Sequence, residues 1–514
     1  MDPNGRGTLR SPTMLIGFQV NMSMANSPLS VSIHTLDNDS LLNVFYLYRP
    51  FLLGEDDDDD APSRLTGGEG GWGRGRWWYN LAHVCQRWRN IVLGSAAYLG
   101  LSLVCTNGTP IAEMLAHTPP LPLIIDYSLD DDDDITAEDE ERAILAFRQY
   151  DRVRRIRLWM PPTSLQKLVA AMDDEYPILE YLIIGHPVKD DTTILMLPET
   201  LQAPHLRHLM LVSFALPTGF RLLTNAVDLV TLCLLLVHPS TYFHPNTLLR
   251  WLLSTPNLET LFISFLLPEC SRHVEEQSTH TAITAPVALP NLLVFRFKGV
   301  AAYLEALLYR ISAPRLKKLQ IGFFNQLTFS VPCLLQSVDT TENLRFKSAK
   351  FVFSDEYVDV ELYPHEEAKM YALSVTVDCW HLDWQVSSAA QIFDSLSSVL
   401  SAVEHLTLKY EAHGRSTEEH NEADRIEWRK LLNSFRNVRT IHVAEGLVEE
   451  LSRCLLLDDG ELPLEMLPEL QELTYTGSGD TGDTFTSFIN ARKDTYLPIT
   501  LVRCSPSPDW SSSM

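Results

Sequence analysis

The chain has 514 residues, of which 45% are apolar and 21% are charged. This composition is typical of folded proteins and excludes collagen-like, mucin-like and wholly disordered chains. Its length allows about three domains, or one long repeat array with an attachment. The 41 Lys and Arg and 66 Asp and Glu give a net charge of −25, which argues against nucleic acid and anionic membranes as partners.

The eight cysteines show neither a CxxC pair nor regular spacing. We therefore expect free, buried thiols and a reducing compartment. The sequence has no stretch with the features of a signal peptide, and no apolar run approaches the roughly 20 residues that span a bilayer. These features predict an intracellular protein, in the cytoplasm or the nucleus, without membrane association.

Two amphipathic stretches predict a small helical module over residues 33–97. In the first stretch Leu41 and Phe45 lie on one helical stripe with Leu42 beside it. The second stretch, residues 77–94, has a broad apolar face and predicts one continuous helix.

Low-complexity segments flank and interrupt this module. Residues 1–32 predict a disordered leader, and residues 501–514 a flexible tail. Residues 54–76 contain five consecutive Asp and seven Gly, which predicts a disordered acidic and Gly-rich insert. A second acidic segment, residues 129–141, predicts another loop.

From about residue 98 the apolar period changes from 3.6 to 2, and a pattern of the form Pro-x-Leu-x-x-Leu-x-Leu recurs. Its clearest copies begin at Pro177, Pro204, Pro256, Pro290 and Pro314. Most intervals are 23 to 35 residues, with one gap of 87 residues after position 316 that has room for three periods. Residues 98–500 are therefore predicted to form a leucine-rich-repeat solenoid, an α/β fold with a curved parallel sheet and outer helices. An ordinary α/β domain with similar strand spacing is the alternative, and the recurring Pro argues against it.

The repeat also predicts a binding surface. In Leu-x-x-Leu-x-Leu the Leu side chains face the core and the final x faces the concave side. The residues at this final position are Arg157, Ile183, Met210, Cys233, Phe262, Arg296, Gln320, Thr407, His442 and Thr474. Among them Arg157, Met210, Phe262, Arg296 and His442 are the candidate substrate-binding residues, with Phe262 and Arg296 as the main anchors. In the alternative, a terminal segment covers Phe262 and Met210.

Motifs that could support catalysis or ligand binding are weak. Residues 68–73 match G-x-G-x-x-G, but an Asp run precedes them where a strand should be, so a flexible loop is favoured. The Asp runs at 56–60 and 130–134 lack the pattern of a calcium-binding loop. His205 and His208 lie in a predicted strand and should point in different directions. The Arg-rich segment 148–157 should neutralise the acidic segment before it or bind an acidic peptide.

No metalloprotease, nucleophile-elbow, P-loop or kinase motif occurs. We therefore expect no catalytic residue, cofactor or metal. An enzyme with an unrecognised site remains a third hypothesis, which a pocket containing a nucleophile and a base would support.

Two segments near the N-terminus together resemble the F-box. They read Leu36-Asp-Asn-Asp-Ser-Leu-Leu-Asn-Val-Phe and Leu81-Ala-His-Val-Cys-Gln-Arg-Trp-Arg-Asn-Ile. Asp37 stands where that family usually has Pro, and the acidic insert splits the motif. The rest of the chain is similar to fungal F-box-like proteins with degenerate leucine-rich repeats. The apolar positions of the motif are occupied by Leu36, Leu41, Leu42, Phe45, Leu81, Val84, Cys85 and Trp88.

The resemblance implies a non-catalytic substrate-recognition subunit of an SCF-type cullin–RING ubiquitin ligase. The adaptor, and through it the cullin, would bind Leu36, Leu41, Leu42 and Phe45, part of which should be exposed in the isolated chain. The core of the module would contain Leu81, Val84, Cys85 and Trp88. The repeats would hold an unknown substrate protein. The alternative is a repeat-based scaffold whose degenerate F-box binds no adaptor.

Overall fold

The computed structural model describes ten ranges of the chain. They are 33–49, 76–128, 135–186, 194–216, 219–266, 286–341, 343–411, 425–456, 466–476 and 485–504. The predicted leader, nearly all of the acidic insert, the Asp run at 130–134 and residues 505–514 lie outside these ranges. The chain divides into two compact units. Of the described residues, the helical unit contains 33–49 and Trp77–Gly100, and the sheet unit contains Arg76 and those from 101 to 504.

The helical unit begins with a 3-10 turn, Ile33–Thr35, followed by four helices. These are α1 Asn38–Tyr48, α2 Trp77–Ala82, α3 Gln86–Gly94 and α4 Ala96–Leu99. Asp37 is the N-cap of α1, since its carboxylate accepts a hydrogen bond from the Ser40 backbone N–H at 2.6 Å. The residue that departs from the F-box pattern therefore starts the helix.

The prediction of one helix over residues 77–94 is wrong. The chain turns at His83 and Val84 and passes through an extended Cys85, the N-cap of α3. The Arg89 side chain donates to the Ala82 carbonyl at 3.0 Å, which satisfies an acceptor at the end of α2. Because Val84 lies in this turn, its side chain is 58% exposed and does not belong to the core.

The other expected core positions have mixed outcomes. Leu81 is buried, as predicted, whereas Cys85 and Trp88 are half-buried. The indole of Trp88 packs edge-on against Phe45, with ring centroids 4.8 Å apart. Phe45 is consequently buried, and so is Leu41, which has no exposed surface.

Of the predicted stripe, Leu41 and Phe45 are therefore covered within the unit, and Leu42 is the member that is partly exposed. Helix α1 is apolar on more than one side, and the Leu41 side is the one that packs inside the unit. Leu36 and Leu42 are half-buried. The exposed apolar residues of α1 lie instead around Leu47, whose side chain is 75% exposed.

We predict that Leu41→Ala destabilises the helical unit by about 2–5 kcal/mol, because it leaves a cavity in a packed core. Leu47→Ala on the same helix is the matched control and should change stability by less than about 0.5 kcal/mol. Hydrogen exchange of peptides covering residues 38–48 measures both effects. Equal protection in the two variants would contradict the observed packing.

The sheet unit is built on one 16-stranded sheet. Its spatial order is β1-β2-β3-β4-β6-β8-β9-β11-β13-β16-β15-β14-β17-β18-β19-β20. The first half contains β1 Leu103–Cys105, β2 Leu123–Ser128, β3 Val153–Trp159, β4 Tyr181–Gly185, β6 His208–Val212, β8 Thr231–Val237, β9 Thr260–Phe265, β11 Val294–Gly299 and β13 Lys318–Phe323. The second half contains β14 Ser348–Ser354, β15 Tyr357–Tyr363, β16 Leu373–Asp378, β17 His405–Glu411, β18 Thr440–Val443, β19 Glu472–Thr476 and β20 Thr500–Cys504.

Short strands and helices connect the long strands. Two small parallel pairs are β5 Leu195–Met196 with β7 Phe214–Ala215, and β10 Val287–Ala288 with β12 Ile311–Ser312. The helices are α5 Ile111–His117, α6 Ala137–Phe147, α7 Pro162–Ala170, α8 Arg221–Asn225, α9 Pro245–Leu253, α10 Ala301–Leu308, α11 Pro332–Thr340, α12 Leu382–Ser395, α13 Ser397–Leu400, α14 Arg425–Asn433, α15 Val448–Leu455 and α16 Thr486–Asp494. This mostly parallel sheet with helices is compatible with a solenoid-like α/β fold.

Aromatic contacts identify the face of the sheet on which helices pack. Phe297 stacks on Tyr303 of α10 at 5.9 Å, and Phe351 contacts Phe393 of α12 at 5.5 Å. Both strand residues belong to one register row of strongly buried side chains. This row contains Leu158, Ile184, Leu211, Leu234, Ile263, Phe297, Ile321, Val375, Val360, Phe351, Leu408, Val443 and Tyr475. We call this side the helix face and the opposite side the open face.

The array is not wholly parallel. Strand β15 pairs antiparallel with both β14 and β16. Only Asp355 and Glu356 separate β14 from β15, and a connection this short allows a hairpin but no parallel crossover. The gap of 87 residues after position 316 has room for three periods and so for two intervening strands, but it contains three, and the reversed β15 is the additional one.

Three predicted segment boundaries also need correction. Residues 137–141 of the acidic loop form the start of α6, where Glu138, Asp139 and Glu140 favour the positive end of the helix dipole. Residues 501–504 of the predicted tail belong to β20. Arg76, the last residue of the predicted insert, donates to the Val104 carbonyl at 3.3 Å and to Thr109 at 2.9 Å.

Seven of the cysteines lie in the described ranges, and all seven are free thiols. Four are buried, as the apolar context predicted: Cys105, Cys233, Cys379 and Cys454. Cys270 lies outside the described residues.

Candidate protein-binding face and helical groove

One register row runs along the open face through all the strands from β2 to β20 that belong to the large sheet. We call it the central row. It contains Asp126, Arg157, Ile183, Met210, Cys233, Phe262, Arg296, Gln320, Ser374, Glu361, Lys350, Thr407, His442, Thr474 and Val502. All ten positions that the repeat placed on the side away from the core lie in this row, so the predicted register is confirmed.

Strand alternation places the central row on the open face. Phe262 is followed by Ile263, and Arg296 by Phe297, and both following residues belong to the helix-face row. Successive side chains of a strand point to opposite sides of a sheet. The guanidinium of Arg296 lies 5.8 Å from the ring centroid of Phe262, as expected for neighbours on one face.

The part of the central row on β4, β6 and β8 belongs to a second apolar cluster. Ile183, Met210 and Cys233 pack with Val212 and Leu235 of the next row, and these five side chains are only 3–8% exposed. The expectation that Met210 lies open to solvent is therefore wrong. Neighbouring strands lie about 4.8 Å apart, so large side chains in one row cover each other. Burial raises the pKa of the Cys233 thiol to about 12, which keeps it protonated.

Three larger side chains pack against this cluster and are less buried: Trp159, Leu236 and Phe262. Trp159 is the register partner of Gly185. A Cβ atom at residue 185 would lie 2.5 Å from Cζ3 of Trp159 and 2.8 Å from Cβ of Val212. Gly185 therefore allows the indole to lie across the strand.

We predict that Gly185→Ala destabilises the sheet unit by about 1–3 kcal/mol, because the added methyl group displaces Trp159. Gly219→Ala is the control, since an added Cβ there meets no atom within 4 Å. Chemical denaturation of both variants measures the difference. A Gly185→Ala protein as stable as the control would contradict the close approach of Trp159.

A stacked row, which the repeat analysis did not identify, lies beside the central row on the open face. The guanidinium of Arg155 lies 4.2 Å from the ring centroid of Tyr181, whose ring stacks on that of His208 at 4.2 Å. Nδ1 of His208 lies 3.1 Å from the Thr231 hydroxyl. The sequence signal for this stacked row is an aromatic residue at the first position of a strand, as Tyr181 in β4 and His208 in β6. His205 instead pairs with Asp228 at 3.2 Å, so the two histidines do point in different directions.

Burial is the main cause that lowers the pKa of His208 to about 4. The positive charges of Arg207 and Arg155 lower this pKa further, and the negative charge of Glu180 opposes the change. The unfolded chain has an ordinary histidine pKa of 6.5. Between these two values the unfolded state binds more protons than the folded state, so this site makes stability fall as the pH falls.

We predict that His208→Phe, which keeps a ring on Tyr181, reduces the loss of unfolding free energy between about pH 7 and pH 4.5. His205→Phe, at an exposed position, is the control for replacing a histidine by Phe. Urea denaturation at several pH values measures the slopes. An unchanged slope in His208→Phe would show that this imidazole does not titrate differently on folding.

Beyond β13 the open face becomes polar. Lys350 and Glu361 form an ion pair at 2.6 Å, and Asp359 accepts hydrogen bonds from Ser374 and Thr376. Burial is the main cause that raises the pKa of Asp359. Sequence reasoning missed this network because it depends on the reversed strand β15.

Two arginines of the Arg-rich segment 148–157 have described partners outside the acidic segment. Arg154 pairs with Glu180 at 2.9 Å, and Arg152 donates to the Leu121 carbonyl. The acids at the start of α6 pair instead with Arg142 and Lys167.

The helical unit has a groove of about 550 Å³ between α1 and α3. Its lining residues are Asn38, Asp39, Leu42, Gln86, Arg87, Asn90, Ile91, Gly94 and Ser95. The Arg87 side chain donates to the Leu36 carbonyl at 2.5 Å and to Oδ1 of Asn38 at 3.0 Å, which links the two helices. Of the four predicted adaptor-binding residues, only Leu42 lines this groove.

Comparisons with known proteins give no family assignment. No protein-family model matches the sequence, and no curated protein matches it. The described part of the chain brings no three His, Cys, Asp or Glu side chains together as metal ligands. None of the helices that the structure describes is long and apolar enough to cross a bilayer.

Proposed function

We propose that this protein is a non-catalytic recognition subunit that binds a partner protein on the open face and a ligase adaptor through the helical unit. The observation that carries the proposal is the central row. It presents side chains of mixed chemistry in register across the large sheet, from Asp126 to Val502.

The composition of this row suits a protein ligand. Protein interfaces are enriched in aromatic residues, Met and Arg, and their hot spots lie in well-packed centres. The central row has Arg157 and Arg296 on either side of an apolar cluster, with Phe262 between them in register. Because the helix face is packed and the strands are rigid, the side chains on the open face are held in place before binding.

The helical unit supplies the argument for an adaptor. It carries the F-box-like sequence, and its groove combines the apolar side chains of Leu42 and Ile91 with a polar rim. A subunit of this kind does no bond chemistry, since holding a substrate near an enzyme raises the effective concentration of the reacting groups.

The burial of Leu41 and Phe45 favours a second candidate function. Two of the four expected adaptor contacts lie in the core, so the helical unit could be a structural part of a repeat scaffold that binds no ligase. The two functions share the open face and differ only in the adaptor.

Co-purification of the full chain with the SCF adaptor and cullin distinguishes these functions. We predict that the wild type retains both subunits and that Leu42→Ala weakens adaptor binding about 10- to 100-fold, the effect of losing one buried Leu side chain. Leu47→Ala, on the same helix outside the groove, is the matched control and should bind as the wild type does.

Failure of the wild type to retain adaptor or cullin, where a known F-box protein retains both, would select the scaffold. Loss of binding in Leu47→Ala but not in Leu42→Ala would place the contact on the other side of α1.

A further inference from the structure

Two tryptophans near the carboxyl end of β16 are exposed. Trp380 follows this strand and is 64% exposed, and Trp384 lies in the first turn of α12 and is 55% exposed. The other six tryptophans in the described ranges are buried or half-buried. His381 lies between the two in the chain, and its ring packs edge-on against Trp384 with centroids 5.0 Å apart. Neighbouring exposed Trp side chains are typical of binding surfaces, because Trp supplies a large contact area and is enriched in interface hot spots.

Two glutamates lie at the same edge of the sheet as these rings. Glu356 is in the hairpin turn between β14 and β15, and its carbonyl accepts a hydrogen bond at 2.8 Å from the N–H of Cys379, the residue before Trp380. Glu411 is the last residue of β17, and its register partner Ser354 is the last residue of β14. Both glutamates are exposed.

The surroundings of Tyr357 connect the glutamates with the end of β16. Burial is the main cause that raises the pKa of its phenol, and the negative charges of Glu411, Asp359 and Glu356 raise it further. Tyr357 is also the register partner of Asp378, the last residue of β16. The glutamates and the tryptophans therefore share one surface at the carboxyl ends of β14, β16 and β17. This surface, the Trp patch, consists of Glu356, Trp380, His381, Trp384 and Glu411.

The Trp patch lies in a locally acidic part of the sheet unit. The described residues at these strand ends and in the first turn of α12 include five carboxylates, those of Asp355, Glu356, Asp378, Asp383 and Glu411. Two lysines offset part of this charge, since Lys298 pairs with Asp378 at 2.8 Å and Lys409 lies two residues before Glu411. Asp383 also offsets the partial positive charge at the start of α12. The balance of these groups is negative, so the surface attracts a cationic ligand.

Charge also decides between the possible occupants of the Trp patch. A second copy of this chain would bring another net charge of −25. Residues 412–424, which follow Glu411, contain one Arg and four acids, so they too would add negative charge. A partner segment rich in Arg complements the surface in two ways, since a guanidinium pairs with carboxylates and stacks on the face of a Trp ring.

We propose that the Trp patch binds a short basic segment of a partner protein. Arg side chains of this segment stack on the rings of Trp380 and Trp384 and pair with the carboxylates of Glu356 and Glu411. The Trp patch shares no residue with the central row or with the helical groove, so the inference does not depend on the proposed function.

Synthetic peptides test this on the full-length protein. The probe is a fluorescent seven-residue peptide with Arg at positions 2, 4 and 6, which share one side of an extended chain, and with Gly or Ser elsewhere. The control peptide has Gln in place of each Arg, and spermine is a cation without a peptide chain. The protein should bind the probe at least tenfold more tightly than the control peptide, and added salt should weaken binding. Spermine should displace the probe only at concentrations at least tenfold above those at which the unlabelled probe does.

Variants that remove a ring locate the site. The double variant Trp380→Ala/Trp384→Ala should weaken probe binding at least tenfold, whereas Trp384→Phe, which keeps an aromatic ring, should retain most of the affinity. Tyr309→Ala is the matched control, because it removes an exposed ring at the end of α10, and it should bind as the wild type does.

Variants that remove a charge test the contribution of the carboxylates. Glu356→Gln should weaken probe binding about two- to fivefold. Glu367→Gln removes the same charge from an exposed residue in the connection between β15 and β16, at the opposite edge of these strands, and should leave binding unchanged.

Equal affinity for the Arg and Gln peptides would overturn the basic ligand, and equal binding by the double Trp variant and Tyr309→Ala would overturn the site. Displacement by spermine at the same concentration as by the unlabelled probe would assign the Trp patch to a small cation. A tenfold rise in affinity in Arg415→Gln would assign it to residues 412–424 of the chain itself. Either of these last two results would overturn the assignment to a partner protein.

Discussion

The register of the parallel strands is the constraint on which the rest of the structure depends. Each strand contributes every second side chain to the helix face, and these side chains form continuous buried rows such as the one through Leu158, Phe297 and Tyr475. A slip of one residue in any strand would turn its apolar set toward the open face. Packing against the helices therefore fixes the alternate residues as well. The side chains of the central row are therefore in register because the buried rows on the helix face are in register. No contact between the side chains of the central row is needed to align them.

This dependence explains why much of the open face could be predicted from the sequence. The last two Leu of the Leu-x-x-Leu-x-Leu pattern identify residues on the helix face. Because side chains alternate along a strand, the residue between these two Leu must lie on the open face. For this reason the pattern predicts that ten positions between Arg157 and Thr474 lie in one row, and the strand pairing shows that they do. Their burial could not be predicted in the same way. Whether Met210 is covered depends on the sizes of its neighbours across the sheet, which periodicity does not describe.

The errors have equally physical causes. An alternating pattern has no direction, so it could not show that β15 runs against its neighbours or that Lys350 would meet Glu361. Helix α1 is apolar on more than one side, and the sequence of the helix alone does not show that Phe45 packs against Trp88 and so faces inward. Composition alone predicts a loop for residues 137–141, because most of them are acidic. Negative side chains are, however, favourable in the first turn of a helix, and these residues begin α6.

The central claim is that a partner protein binds the open face rather than the outer helices. Site-specific photo-crosslinking tests it most directly, with the photoreactive residue placed either at Gln320 in the central row or at Tyr309, an exposed residue at the end of α10. The partner isolated with the wild-type chain is the acceptor in both cases. The account predicts crosslinks from position 320 and none from position 309. Crosslinks from position 309 alone would place the interface on the helices and contradict the account.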